Sequence, residues 1–325
     1  MRRQFLLTNA ALLAAIALPS TILGKNKWPD TPITTVVPYP AGGGTDGLAR
    51  IMGKYLEPAL NTAVIVENRA GATGTIGTAH VSRSRPDGNT LLYGFLPTLI
   101  LAELTNPDVT YRVQKDFSPI CRLVTYSFML VAEPDFEADT IQEVLKLAHS
   151  SEKPLMYATH GIGSPTHLSM EHIGNLRNIK FDHVPYKGEQ PMVADLLGQH
   201  ISMGWLTVNV AIPLIRSGKV KPLVIGSSDK VADLPDTPTL EEVGLSEASF
   251  QNWAGLLAPA GVSAEKIDTL MTTIQGVLQQ PELVEKLKQA GFTPDYLGPN
   301  DFRTFLEGEA ERYRERVSIA NLGMK

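Results

Sequence analysis

Two short segments carry the residue types with which a protein could hold an anion. One is Pro38-Tyr39-Pro40-Ala41-Gly42-Gly43-Gly44-Thr45-Asp46; the other is Thr159-His160-Gly161-Ile162-Gly163-Ser164-Pro165-Thr166-His167. Each follows an apolar, strand-like run and opens a helix-like stretch. Glycines let a backbone come close to a ligand and reach positive φ. Thr45 is a favourable N-cap and Asp46 suits a first turn; Ser164 followed by Pro165 reads as N-cap and N1. Free N–H groups at such a helix start, with the positive end of the dipole behind them, attract a carboxylate. His167 falls in a first turn, where a positive charge would oppose the dipole, so it is expected to be neutral at pH 7 and able to donate one hydrogen bond. Alone, each segment reads equally well as a tight strand-to-helix turn, and His167 as a packing histidine. Together they could grip one carboxylate from two sides. Charge-assisted hydrogen bonds are worth roughly 1.5–3 kcal/mol each, so several would reach micromolar affinity, which takes about −8 kcal/mol.

Other chemistries find little support. A P-loop needs a lysine just after its glycines, and none follows Gly44 until Lys54. Gly71–Gly77 reads G-x-x-G-x-x-G, a turn packing under a helix rather than a dinucleotide fingerprint. Ser164 and His167 lack the G-x-S-x-G elbow and an acidic orienting partner. His167 and Glu171 share a helix face, but His172 is turned away by about 100° and H-E-x-x-H is absent. The single cysteine, Cys121, rules out thiolate clusters and reads as buried and inert. Thr239 and Glu242 form a capping box. Arg312, Arg314 and Arg316 alternate with Glu311 and Glu315, a solvated charged face. No catalytic residue, metal site or cofactor is expected.

The elements that must position these segments follow from length and rhythm. The chain has 325 residues, 43% hydrophobic and 19% charged, enough for two domains of ordinary size. Residues 1–24 read as an export signal: Arg2 and Arg3, an apolar run too short to span a bilayer, then Pro19, Ser20 and a cut after Gly24. Arg2-Arg3-Gln4-Phe5-Leu6 fits both a twin-arginine and an ordinary Sec signal. Removing Arg2 and Arg3 makes the net charge of −5 more negative still, which argues against nucleic acid or an anionic membrane as partner.

Strands are expected at Ile33–Tyr39, Ala63–Glu67 and Thr90–Phe95, with helices at Thr45–Leu60 and Thr75–Arg83 between them. This alternation predicts an α/β fold with a parallel sheet covered on both faces. Ile120–Val124 and Phe128–Ala132 then follow without a helix between them, which marks a crossing into a second lobe. The rhythm restarts with helices Thr140–His149, Ser164–Leu176 and Glu189–Leu197 and strands Leu155–Ala158, Phe181–Val184 and Ile201–Trp205. Lys219–Gly226 is a strand that could cross back, and helices near 264–279, 282–290 and 301–320 end the chain. The division is residues 25–124 plus 227–325 for lobe one and 125–226 for lobe two.

The chain also resembles a known family, the Bug-type solute-binding receptors of tripartite tricarboxylate transporters. Seven ordered landmarks carry the resemblance over the whole chain beyond residue 24. They are Val37–Asp46, Val66–Gly77, Pro86–Leu92, Gly163–Leu168, His183–Gly188, Leu234–Thr239 and Gly255–Gly261. The resemblance implies a two-lobed periplasmic binding protein with each lobe a mostly parallel sheet flanked by helices, the lobes joined by crossing strands. It implies a monomeric, non-enzymatic receptor that closes on a small carboxylate and hands it to membrane transporter subunits. A signalling partner such as a sensor protein is the alternative. On that basis Tyr39, Gly43, Gly44, Thr45 and Asp46 would touch the ligand from lobe one, and Gly163, Ser164, His167 and Tyr186 from lobe two. Lys187 is a rim charge or a contact. Asp46, awkward beside an anion, would receive a hydroxyl, amine or water or support the helix start. Where members commonly carry an acid after the strand ending at Trp205, this chain has Leu206, with Thr207 beside it as a further contact. A less polar far pocket walled by Trp205 or Phe95 would suit an aromatic or aliphatic acid.

Overall fold

The computed structural model describes residues 28–320; the expected export signal, residues 1–24, lies outside them. β1 (Ile33–Val37) leads into α1 (Gly44–Leu60), β2 (Val64–Asn68), α2 (Thr75–Ser82) and β3 (Thr90–Phe95). Short helices α3 (Ala102–Thr105) and α4 (Val113–Asp116) precede β4 (Phe117–Tyr126) and β5 (Phe128–Ala132). Next come α5 (Ile141–Ser150), β6 (Met156–Thr159), α6 (Pro165–Arg177), β7 (Asp182–Pro185), α7 (Glu189–Leu197), β8 (Met203–Thr207), α8 (Val208–Arg216) and β9 (Lys221–Ile225). The chain ends with β10 (Asn252–Pro259), α9 (Ala264–Leu278), α10 (Pro281–Gln289), β11 (Thr293–Leu297) and α11 (Pro299–Ile319).

The strands form two sheets, ordered β11-β4-β10-β3-β1-β2 and β7-β6-β8-β5-β9. β1 pairs parallel with β2 and β3, and β6 parallel with β7 and β8. β10 runs antiparallel to β3 and β4, β11 to β4, and β5 to β8 and β9. Both sheets are therefore mixed, with a larger antiparallel share than the strand–helix rhythm implies. The extra antiparallel pairs involve strands at or beside the crossings, which run against their neighbours.

Each sheet is covered on both faces because its strands alternate between two cores. In β5, Phe128, Leu130 and Ala132 enter one core with Trp205 and Phe250; Met129 and Val131 enter the other with Leu206 and Ile225. Full burial of such a side chain is worth roughly 1.5–3 kcal/mol, so these registers are firmly held. β10 is buried along all eight residues. Cys121 sits in the first sheet's core, where burial pushes its thiol pKa up and keeps it protonated.

The first crossing is a single residue, Ser127, between β4 in one sheet and β5 in the other. The return is less direct than a strand at 219–226 suggested. Leu240, Leu245, Ala248 and Phe250, expected in the first lobe, pack in the second sheet's core, and the chain rejoins the first sheet at Asn252, opposite Tyr126. At this junction the Ser127 and Ser227 hydroxyl oxygens are 2.7 Å apart, and the Gly226 N–H donates to the Phe128 carbonyl at 2.8 Å. α11 also joins the halves: Arg316 donates to the Glu247 carbonyl at 2.8 Å, and Asn175 to that of Ile319 at 3.4 Å. The arginine run is thus not wholly solvated. Arg312 pairs with Glu309 and Arg314 with Glu311, while Arg316 is half-buried against the second half. Thr239 and Glu242 exchange both capping-box bonds, but around a turn rather than a helix.

Candidate functional site

Both glycine segments leave the carboxyl ends of their strands, β1 and β6, where open α/β sheets bind ligands. The second segment lies close to the first half: the Cβ position of Gly163 is 3.9 Å from Thr105 Oγ1 on α3. Tyr186 and Thr207 stand at the corresponding ends of β7 and β8.

The first segment is braced from behind. Asp46 is buried and accepts from the Gly42 N–H at 2.9 Å, Arg50 Nε at 2.9 Å and Asn68 Nδ2 at 3.0 Å; the same Asn68 amide donates to the Tyr39 carbonyl. Burial works against the Asp46 charge, but the bonds from Arg50, Gly42 and Asn68 outweigh it and hold the carboxyl below its ordinary range. Asp46 therefore supports the helix start. Gly42 has φ 85°, which lets its N–H turn back to that carboxylate. The expected Thr45 cap does not form. Gly43 is the N-cap residue, extended at φ −81° and ψ 170°, with no side-chain cap bond, so the helix begins one residue early. The N–H groups of Gly43, Gly44 and Thr45 find no acceptor among the described residues, and the two glycines are exposed. Tyr39 packs edge-on against Phe95, ring centres 5.5 Å apart. Behind them α2 closes in: a Cβ on Gly77 would lie 2.6 Å from the Arg69 carbonyl, which is why that glycine run is a packing turn.

The second segment is braced largely from within itself. Ser164 caps α6 as expected, its Oγ accepting from the His167 N–H at 3.3 Å with Thr166 Oγ1 3.0 Å away. The Gly163 N–H donates to His167 Nδ1 at 3.0 Å, so the histidine proton sits on Nε2, 3.8 Å from Glu171. The His167 and His183 rings stack with centres 3.8 Å apart, and His183 Nε2 lies 2.6 Å from Thr159 Oγ1. Burial pushes His167 down to about 4, and burial with the neighbouring His167 does the same to His183. The neutral His167 read from the helix dipole is thus neutral chiefly through desolvation. Its Nδ1 receives a bond from the loop, so the ring acts first as a brace for Gly163.

The remaining expected contacts are engaged elsewhere. The Tyr186 hydroxyl donates to Asp195 at 2.6 Å; desolvation, then that carboxylate, raise the phenol to about 12. Lys187 is exposed. Thr207 gives both its N–H, at 2.5 Å, and its hydroxyl, at 2.9 Å, to Glu189. Trp205 and Leu206 are core residues on opposite faces of β8, and Phe95 is buried behind Tyr39, so Trp205 and Leu206 line no far pocket. The acid at the end of β8 comes instead from Glu189, across an eighteen-residue separation that no local motif announces.

A profile described as the tripartite tricarboxylate transporter family receptor matches residues 48–323. Protein BugT of Bordetella pertussis (strain Tohama I) is 32% identical over 301 residues, covering 92% of this chain and 91% of BugT. The structure of the periplasmic binding protein BugD superposes with a TM-score of 0.81 at 30% identity, covering 92% of this chain and 100% of that one. Rpa4515 of R. palustris, solved with adipate, gives a TM-score of 0.84 at 26% identity, covering 91% and 99%.

Proposed function

The chain belongs to the tripartite tricarboxylate transporter receptor family, a family of solute receptors rather than enzymes, and from that premise we propose that it captures a small carboxylate in the periplasm for a membrane transporter. The acid would lie between the two halves, its carboxylate on the α1 start. The observation that carries this is the row of open N–H groups at Gly43, Gly44 and Thr45, held by the Asp46 brace at the carboxyl end of β1. Several backbone donors and a helix dipole converge there, with the nearby cation Arg50 already paired to Asp46, which suits one carboxylate rather than a phosphate cluster. The adipate bound in Rpa4515 supports the ligand class, and the periplasmic setting of BugD supports the compartment.

Residues 28–126 and 252–320 would form one lobe and 128–251 the other, closing about the Ser127 and Asn252 crossings. Isothermal calorimetry against short carboxylic acids and their neutral amides tests the reading. Acids should bind at micromolar level and the amides not at all; equal binding of both would remove the carboxylate from the recognition.

A further inference from the structure

Near the junction of the two sheets a carboxylate is held without a cation. Glu189, the first residue of α7, has 18% side-chain exposure and is fixed by the Thr207 N–H and hydroxyl. Those are two protons for a group that accepts about four hydrogen bonds. Among the described residues no lysine or arginine bonds to it; the nearest basic atom is His160 Nε2, at 4.0 Å. Burial raises the Glu189 carboxyl above its ordinary range, partly offset by the Thr207 bonds, and burial pushes His160 down to about 4.

His160 is itself half-served. Its Nδ1 is buried without a hydrogen-bond partner among the described residues, and its ring is pinned on Phe128 with centres 4.8 Å apart. Phe128 pairs across the sheet with Thr207 and lies 5.9 Å from the Tyr126 ring, whose hydroxyl feels the Glu189 charge. Tyr126 and Phe128 flank the crossing residue Ser127, so the Glu189–His160 pair lies where the two halves meet. The α7 start favours an acidic first residue, but buried polar groups are ordinarily paired, and a carboxylate with lone pairs to spare and no cation is costly to keep. Thr207 alone does not explain a charged residue here, because a neutral amide oxygen would accept its N–H equally well.

We propose that Glu189 and His160 are the specificity-determining pair of the cleft, recognising a hydrogen-bond donor on the ligand, hydroxyl or ammonium, and turning away a second carboxylate. The inference rests on the receptor reading and names its ligand class as a carboxylic acid with a donor group. The donor would sit to one side of the 4.0 Å line between Glu189 Oε1 and His160 Nε2, within hydrogen-bond reach of both, and give its proton to Glu189. A second carboxylate would bring like charges together, and such juxtapositions are strongly disfavoured at interfaces.

Calorimetry with matched acids tests this: at each length from three to six carbons, the dicarboxylate, the ω-hydroxy acid and the ω-amino acid. The wild-type protein should bind the hydroxy or amino acid at least about tenfold more tightly than the dicarboxylate of equal length. A higher affinity for the amino acid assigns the donor as ammonium, for the hydroxy acid as hydroxyl, and either supports the proposal. Glu189→Gln keeps an acceptor for Thr207 and removes the charge, and should bring the three classes to within about threefold. A wild-type preference for dicarboxylates, or a Glu189→Gln variant that folds and keeps the original ratio, would overturn the pair's role while leaving the receptor reading intact. Failure of the wild-type protein to bind any acid would sink the receptor reading, and this inference with it. The wild-type series needs no variant, so a folding defect in Glu189→Gln leaves the proposal testable.

Discussion

At the scale of single residues, the site rests on backbone donors and on the side chains that aim them. Gly44 is the first helical residue after Gly43, and a Cβ there meets nothing within 4 Å. Proline is tolerated at this position, and the extended Gly43 suits a following proline. Gly44→Pro should therefore fold with stability unchanged or raised by about 0.5 kcal/mol, while deleting one N–H from the row. Calorimetry should show carboxylate affinity falling by roughly 1.5–3 kcal/mol; unchanged affinity would remove the α1 start from the site. Ser164→Ala tests the other segment and should lower folding stability by about 1 kcal/mol through loss of the α6 cap, read by urea denaturation. Ser164 was legible because N-cap chemistry is local and Pro165 marks the turn. Thr45 misled because the exposed, extended Gly43 could take the cap position without a side chain. Glu189 was invisible as a site residue because its partners, Thr207 and His160, are brought to it only by the assembled sheet.

At the scale of elements, β6, α6 and β7 hold three neutral histidines together: His160, His167 and His183. Each is pushed to about 4, below the ordinary value near 6.5, so the unfolded chain binds more protons between those limits. Stability is then greatest above pH 6.5 and declines as the pH falls toward 4. From pH 7 to pH 5 a fully expressed shift costs roughly 2 kcal/mol per histidine. Urea titrations at the two pH values should show that slope, and His183→Gln should flatten it; a pH-independent midpoint would contradict the buried neutral stack. Periodicity recovered the elements that flank the cleft, β1, α1, β3, β6 and α6, to within one or two residues. Their runs are apolar and bounded by glycine, proline or caps. It passed over β10, whose eight buried residues alternate with nothing; β11, whose run contains Pro294; and α8, which carries Pro213 inside. In those three, tertiary pairing decides what local pattern leaves open.

At the scale of the whole molecule, an acid that bridged the two sheets would bind the folded chain alone. A saturating ligand at one hundred times its dissociation constant should raise unfolding free energy by about 2.7 kcal/mol, seen as a concentration-dependent rise in melting temperature. A bound acid that left the melting temperature unmoved would be binding the unfolded chain as well, which a site assembled by the fold excludes.

The Ser127–Ser227 contact has a further consequence. The outgoing passage at Ser127 is tied to Ser227 on one side and flanked by the returning strand on the other, Asn252 lying opposite Tyr126, and a ribbon of this kind would bend about one axis more readily than it shears or twists. Swinging on one axis, the halves would meet in a single register, and a molecule too long by one carbon would not be met by sliding them apart. Length discrimination would then be a property of the backbone, and loosening the ribbon with Ser227→Ala is expected to widen the range of chain lengths accepted before it changes the tightest binder.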